Sequence, residues 1–273
     1  MSNDLRSFHQ HLISSRKVLA ILGAGLSASS GLSTFRGAGG LWKKYDAVDL
    51  ATPEAFELDP SLVWQFYSAR RKAALAAVPH RGHKALAKFS ERWGNRFLTL
   101  TQNVDGLSER ACHPRDGIVH LHGDLFTLKC TNFNCRYKES GNFREPLTPA
   151  LANASMDDNV GVERIPESQL PHCPQCNTLL RPGVVWFGES LPYDAIFRAD
   201  EYISAGDVDL VLVVGTSATV WPAAGYIEEV AQRGGKVAVF NIDESTKWPD
   251  GWFFQGDSAE WLPKALEPVI GRV

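Results

Sequence analysis

Val18-Leu19-Ala20-Ile21-Leu22-Gly23-Ala24-Gly25-Leu26-Ser27-Ala28 decides how this chain folds. Five apolar residues run straight into a Gly-rich turn. A short run that is apolar on both faces is the pattern of a strand buried in a parallel sheet. Gly23-x-Gly25-x-x-Ala28 matches G-x-G-x-x-G/A, whose small residues let the backbone approach a pyrophosphate at a helix N-terminus. Alone, the match leaves open a tight strand-to-helix turn with no ligand.

Working outward, four more segments repeat the pattern. Residues 96–101 end at Gln102-Asn103-Val104-Asp105, and residues 117–121 at His122-Gly123. Residues 208–214 end at Gly215-Thr216-Ser217, and residues 236–240 at Asn241-Ile242-Asp243. In open α/β sheets, ligands bind outside the carboxyl ends of the strands, so five polar endings point at one shared site. The fold class is α/β, a Rossmann-like parallel sheet.

Two stretches break the strand–helix rhythm. Residues 44–92 read as helical, with Thr52-Pro53-Glu54 and Asp59-Pro60 as helix starts: a capping side chain, then Pro at the first helical position. Residues 128–182 hold most of the cysteines and few long apolar runs. We read residues 1–43, 93–127 and 183–273 as the Rossmann-like domain. Residues 44–92 and 128–182 form a smaller domain, a helical module plus a cysteine-bearing module, made by the insertions. Residues 137–170 carry no assignable motif and read as an exposed insertion.

The stretch after the glycine turn argues against a dehydrogenase. There, a helix and a second strand would follow, with an acid about 20 residues on to grip the ribose. Here glycines at 31, 37, 39 and 40 make a loop whose one cation, Arg36, is in reach of a phosphate. Asp46 lies at about the right distance, but no apolar strand precedes it.

Composition bounds the remaining choices. The 273 residues carry a net charge of -3, with 44% hydrophobic and 22% charged residues. No basic block is present, which argues against nucleic acid as a partner. No apolar run is long enough to span a membrane. The N-terminus has no apolar h-region and reads as a first structural helix, with a mitochondrial address left open by its weak basic amphipathicity. Of five cysteines, Cys130, Cys135, Cys173 and Cys176 form two close pairs and Cys112 is left over. Paired spacing and an odd count favour a reducing compartment and a metal over disulfides.

At this point the sequence resembles the sirtuin family. GAGLSASSGLSTFRGAGGLW is similar to the family's cofactor loop. TQNVDGL, HLHGDLF, VVWFGE, VVGTS and FNID follow in the family's order, over about residues 18–270. The resemblance implies an NAD-dependent protein-lysine deacylase: nicotinamide leaves, and the acyl group passes from lysine to ADP-ribose. It gives the catalytic roles to His122, Asn103 and Asp105. Histidine suits a base that deprotonates a ribose hydroxyl, because its pKa lies near working pH. His120, two residues earlier, would face the same side of a strand and is the competitor.

The resemblance places NAD against Gly23, Ala24, Gly25, Ser27, Thr34, Phe35, Arg36, Trp42, Gln102, Asn103, Val104 and Asp105. Its adenosine half falls to Gly215, Thr216, Ser217, Asn241, Ile242, Asp243 and Ser258. Val185, Trp186, Phe187, Gly188 and Glu189 resemble the strand that binds the substrate peptide, where an extended chain adds by backbone pairing. Cys130, Cys135, Cys173 and Cys176 resemble a four-thiolate structural zinc site. Their first pair is four residues apart, where many sirtuins have two, still within the range for zinc.

The acyl group is indicated by the helix read over residues 61–76. Tyr67 and Arg70 are three apart and share a face. In the sirtuin branch that removes succinyl, malonyl and glutaryl groups, a Tyr-x-x-Arg pair lines the acyl pocket, and a small residue matched by Ala47 widens it. Arginine's planar fork suits a carboxylate, and a tyrosine hydroxyl adds a donor. The expected substrate is therefore an acidic acyl-lysine in proteins, with weak deacetylation. Plain deacetylation and mono-ADP-ribosylation on the same fold are the alternatives. An NAD sensor without chemistry is set against the intact His122, Asn103 and Asp105. The chain is expected to be a monomer inside the cell. The resemblance suggests the mitochondrion, with cytosol and nucleus open.

Overall fold

Every apolar run quoted above becomes a strand in the computed structural model, which describes residues 2–34, 40–206, 208–218 and 221–272. The chain opens with α1 (Leu5–Ser14), β1 (Lys17–Leu22) and the single turn α2 (Gly25–Ala28). A small hairpin, β2 (Leu41–Trp42) and β3 (Tyr45–Asp46), precedes four helices: α3 (Ala47–Leu50), α4 (Pro53–Leu58), α5 (Pro60–Ala76) and α6 (Arg81–Trp93). Then come β4 (Phe97–Thr101), α7 (Leu107–Arg110), β5 (Ile118–His120), β6 (Gly123–Cys130), β7 (Lys138–Glu139) and β8 (Leu180–Val184). The last stretch holds α8 (Tyr193–Ser204), β9 (Val208–Val214), α9 (Ala223–Gln232), β10 (Lys236–Asn241), β11 (Trp252–Gln255) and α10 (Ser258–Ile270).

Six strands form one sheet in the order β11-β10-β9-β1-β4-β5, and every pairing in it is parallel. β1 lies inside the sheet, and its side chains alternate between two cores. Val18, Ala20 and Leu22 join Phe8 of α1, Phe89 of α6 and Leu266 of α10 on one face. Leu19 and Ile21 join Ala199 of α8 and Ile227 of α9 on the other. β11 is a sixth strand absent from the sequence reading. Trp252-Phe253-Phe254 is too short a run to separate from a loop until its pairing with β10 is seen.

The insertions build a third core. Trp64, Phe66 and Tyr67 of α5 pack with Leu125, Leu128, Leu180 and Trp186. β7, β6 and β8 form an antiparallel sheet within it. Both expected caps are present: Thr52 Oγ1 accepts from Ala55 N at 3.1 Å, and Asp59 Oδ1 from Leu62 N at 2.9 Å. Helix α6, grouped from sequence with residues 44–92, buries Ala85, Leu86, Phe89 and Trp93 in the large sheet's core. Among the described residues, no helix is long and apolar enough to cross a membrane.

Candidate active site

Register brings the polar strand ends into one row. Leu22 pairs with Thr101 and Val214, Thr101 with His120, and Val214 with Phe240. The ladder continues past the strands: Gln102 N donates to Leu22 O at 2.9 Å, and Gly215 N to Phe240 O at 3.0 Å. The two glycine turns interlock. Gly25 N donates to Gly215 O at 2.8 Å, and a Cβ on Gly25 would lie 2.8 Å from the Gly215 Cα. Gly215 itself has φ +58°, and a Cβ there would strike the Leu26 nitrogen. Small residues are thus demanded by turn-on-turn contact within the protein, besides any approach of a pyrophosphate.

A polar network fills the floor of this row. Ser27 Oγ donates to Asp105 Oδ2 at 2.6 Å, and Asn103 Nδ2 donates to Gly23 O at 3.0 Å and to Ser27 Oγ at 3.3 Å. Asp105 Oδ1 accepts from Leu107 N at 2.9 Å. Burial raises the Asp105 pKa, while the Ser27 and Leu107 hydrogen bonds work against it. Thr216 Oγ1 donates to Gln102 Oε1 at 3.0 Å, and Asn241 Nδ2 to Thr216 O at 3.0 Å. One member went unnoticed in the sequence. His83, 2% exposed, puts Nε2 3.5 Å from Ser27 Oγ. The single Ser27 proton points at Asp105, which leaves His83 Nε2–H to donate. Burial pushes the His83 pKa down to about 3.

His122 follows β5, beyond the strand's last residue, His120. Its Nδ1 lies 3.2 Å from the Gln102 carbonyl oxygen. A carbonyl only accepts, so Nδ1 carries the proton and Nε2 is bare. Burial lowers the His122 pKa, partly offset by that hydrogen bond. His120 is set differently. Burial opposes its charge, but Glu109, 2.5 Å away, raises its pKa overall. The two histidines do not share a strand face as expected, because β5 stops between them.

The acyl-pocket candidates also converge. Tyr67 is buried on α5, and its oxygen accepts from Trp186 Nε1 at 3.0 Å. That contact uses a lone pair and leaves the hydroxyl proton for another acceptor. Burial pushes the Tyr67 pKa up to about 12. Burial lowers the Arg70 pKa, offset in part by Tyr67 and by Asp105. Arg70 therefore lies within electrostatic reach of the network around Ser27. Ala47 is buried in the same core as Tyr67 and Trp186.

Four sulfurs gather at the far end of the small sheet. Cys130, Cys135, Cys173 and Cys176 place their sulfurs within 4.8 Å of one another. Cys130 and Cys176 are 3.4 Å apart, and Cys135 and Cys173 3.7 Å. Thiolates at about 2.3 Å on a tetrahedral zinc stand roughly 3.8 Å apart, so the donor set fits that ion. His172 Nδ1 is held by Leu170 O at 2.8 Å and lies outside the cluster.

Some expected positions differ. Trp42, assigned to the cofactor, is 2% exposed in the small core and donates its indole N–H to Ser155 O at 3.1 Å. Residues 185–189 are not a strand. β8 ends at Val184, Gly188 takes φ +87°, and Glu189 Oε2 accepts from Trp186 N at 2.8 Å, closing a turn. Phe187 still projects, half exposed, with its N–H on Ala51 O at 2.8 Å. Val185 N donates to His122 O at 2.8 Å, which ties this segment to the catalytic candidate. Ala24 caps α2, Val104 O accepts from Leu125 N at 2.9 Å, and Thr34 and Ser217 are partly buried. Ile242 is exposed, and Asp243 caps the turn at 244–246 by accepting from Ser245 N. Ser258 is buried as the first residue of α10, behind the row. Phe35 and Arg36 lie outside the described residues.

Comparison with known proteins agrees with this geometry. A family described as the Sir2 family matches residues 23–222. An NAD-dependent protein deacylase of Candida albicans is 48% identical, with 100% of each chain covered. The mitochondrial NAD-dependent protein deacylase sirtuin-5 of Danio rerio is 41% identical over 97% of this chain and 87% of its own. A solved Sir2 homolog–NAD complex superposes with a TM-score of 0.79 at 36% identity, covering 97% of this chain and 93% of that one. A Sir2–p53 peptide–NAD+ structure gives a TM-score of 0.76 at 27% identity, covering 97% and 98%. With the family matched over most of its length and its paired turns and cysteines in place, this chain belongs to the Sir2 family.

Proposed function

We propose that this protein removes succinyl, malonyl and glutaryl groups from protein lysines, using NAD as co-substrate, with only weak deacetylation. The carrying observation is the Tyr67–Arg70 pair on the inner face of α5. Trp186 holds the Tyr67 oxygen so that its proton is free to meet a carboxylate, and Arg70 supplies the matching charge. Acetyl-lysine brings no carboxylate to the Tyr67–Arg70 pair and gains nothing from it.

NAD would supply the ribose to which the acyl group passes as nicotinamide leaves. Overall, acyl-lysine, NAD and water give lysine, nicotinamide and O-acyl-ADP-ribose. The chain's residues do the rest. The interlocked turns at 23–25 and 215–216 shape the dinucleotide site. Gln102, Asn103 and Asp105 offer donors and acceptors to a carboxamide and ribose hydroxyls. His122 Nε2 takes the ribose proton, and Nδ1–H stays on Gln102 O to fix the ring. Cys130, Cys135, Cys173 and Cys176 hold a structural zinc whose four thiolates leave no open position for chemistry.

The segment 185–189 receives the substrate peptide. We assign the chain to two units, with α6 joined to the larger by its packing. Relatives named as mitochondrial, such as that of Danio rerio, support a mitochondrial site of action, and we take the working form to be a monomer.

The test is mass spectrometry of one lysine peptide in succinyl, malonyl and acetyl forms, with and without NAD. NAD-dependent loss of the acidic groups, faster than acetyl and with nicotinamide released, is the expected result. In Arg70→Met, kcat/KM for the succinyl peptide should fall about a hundredfold, near 3 kcal/mol, while acetyl turnover survives. Equal desuccinylation by the variant refutes the acidic pocket. ADP-ribose attached to protein, with no acyl loss, would move the assignment to ADP-ribosyl transfer.

A further inference from the structure

Two strands of the small sheet set two cations face to face. Lys129 of β6 pairs directly with Arg181 of β8 in the antiparallel register. Like charges directly opposite on antiparallel strands destabilise a sheet. The nearby charges do not cancel: Lys129, Lys138 and Arg181 stand against Glu189 and Asp124. Glu189 is already committed. Its oxygens accept from Arg181 at 2.5 and 2.8 Å, and one of them also accepts from Trp186 N. Asp124 accepts from Phe126 N and Thr127 Oγ1, each at 2.7 Å. Lys129 ends in no ion pair or hydrogen bond among the described residues.

These cations border a cavity of about 450 Å³, walled also by Val184, Val185, Glu189 and Ser190. The Arg181 guanidinium is fixed there, lying 3.5 Å over the Trp186 ring and donating to Val184 O at 3.1 Å. Its Nε is buried without a partner. Trp186 shares a face with Arg181 and gives its N–H to Tyr67, so this cavity and the acyl pocket are built on the same indole.

We propose that the cavity is a carboxylate subsite, which takes an acidic side chain flanking the acyl-lysine in the substrate protein. The proposal rests on the reading that residues 185–189 receive the substrate peptide, since Val185 and Glu189 of that segment line the cavity. An anion there relieves the Lys129–Arg181 repulsion, whereas a neutral side chain leaves it in place. The subsite selects the protein sequence around the lysine, and the Tyr67–Arg70 pair selects the acyl group.

Titration calorimetry without NAD tests binding apart from turnover. Succinyl-lysine peptides carrying Glu, Gln or Lys within two residues of the modified lysine are compared. The expected result is a Kd about five- to tenfold tighter for Glu than for Gln at one of those positions. That advantage should shrink between about 0.05 and 0.5 M salt. Lys129→Glu should reverse it, favouring the Lys peptide, which loss of packing alone would not do. If Lys129→Glu fails to fold, as judged by zinc content and circular dichroism, Lys129→Gln should bring the Glu-to-Gln ratio near one. Equal binding of Glu and Gln peptides at every position overturns the subsite, as does a preference that survives these substitutions. Adding NAD then tests the deacylase separately: turnover without charge preference refutes the subsite alone, and charge-selective binding without turnover refutes the deacylase alone.

Discussion

His122 and His120 show how two residues of one type are given different chemistry. His120 faces Glu109, and that carboxylate raises its pKa against the effect of burial. His122 faces a carbonyl, and burial lowers its pKa. The sign of the pH effect follows. A base works only when neutral, and a lowered pKa keeps it neutral to lower pH. The acid limb of kcat/KM should therefore have its midpoint below the ordinary imidazole value of about 6.5. A pH–rate profile on a succinyl peptide checks this, and a midpoint above 7 would remove His122 as the base. The motif located His122 in the sequence. Its tautomer was not legible, because it depends on Gln102 O, 20 positions away in sequence.

At the scale of elements, the small sheet and the cysteines depend on each other. Cys130 ends β6, Cys135 follows in the loop, and Cys173 and Cys176 flank the turn before β8. That sheet has three strands, one of them two residues long, and it carries the Lys129–Arg181 repulsion. Zinc is expected to hold it closed. Metal analysis should find one zinc per chain, and Cys176→Ser should lose it at a cost of about 3–5 kcal/mol. Hydrogen exchange should then rise first in β6 and β8, while β1 and β9 stay protected. Uniform loss of protection would show that the two units unfold together. The cysteine spacing was enough to foresee this cluster. The turn at 185–189 was not foreseeable, because Gly188 at φ +87° and the Glu189 contact with Trp186 N look like a continuing strand in one dimension.

For the whole molecule, Arg71, the neighbour of Arg70, joins parts that lie far apart in sequence. Arg71 is 0% exposed and pairs with Glu145 at 2.8 Å. It also donates to Leu125 O, to Asn142 O at 2.8 Å and to Arg144 O at 2.9 Å, while Ser68 donates to Glu145. This knot ties α5 to the segment around the small sheet. Arg71→Met should cost about 3–5 kcal/mol by denaturant titration, because it strands a buried carboxylate and several carbonyls. It should lower turnover of all acyl groups alike, in contrast to Arg70→Met. A loss of under about 1 kcal/mol would show the knot to be dispensable. By itself, the sequence determined the parallel sheet, the shared row of strand ends, the cysteine cluster and the Tyr67–Arg70 pair. Those follow from apolar runs, turn residues and short spacings, which are local properties of the chain. Only the tertiary structure decided that Arg71 is a tie, that Trp42 is core, that His83 stands behind Ser27 and that Lys129 confronts Arg181. Each of these depends on which distant groups burial and register bring within hydrogen-bond or charge range, and no local pattern encodes that.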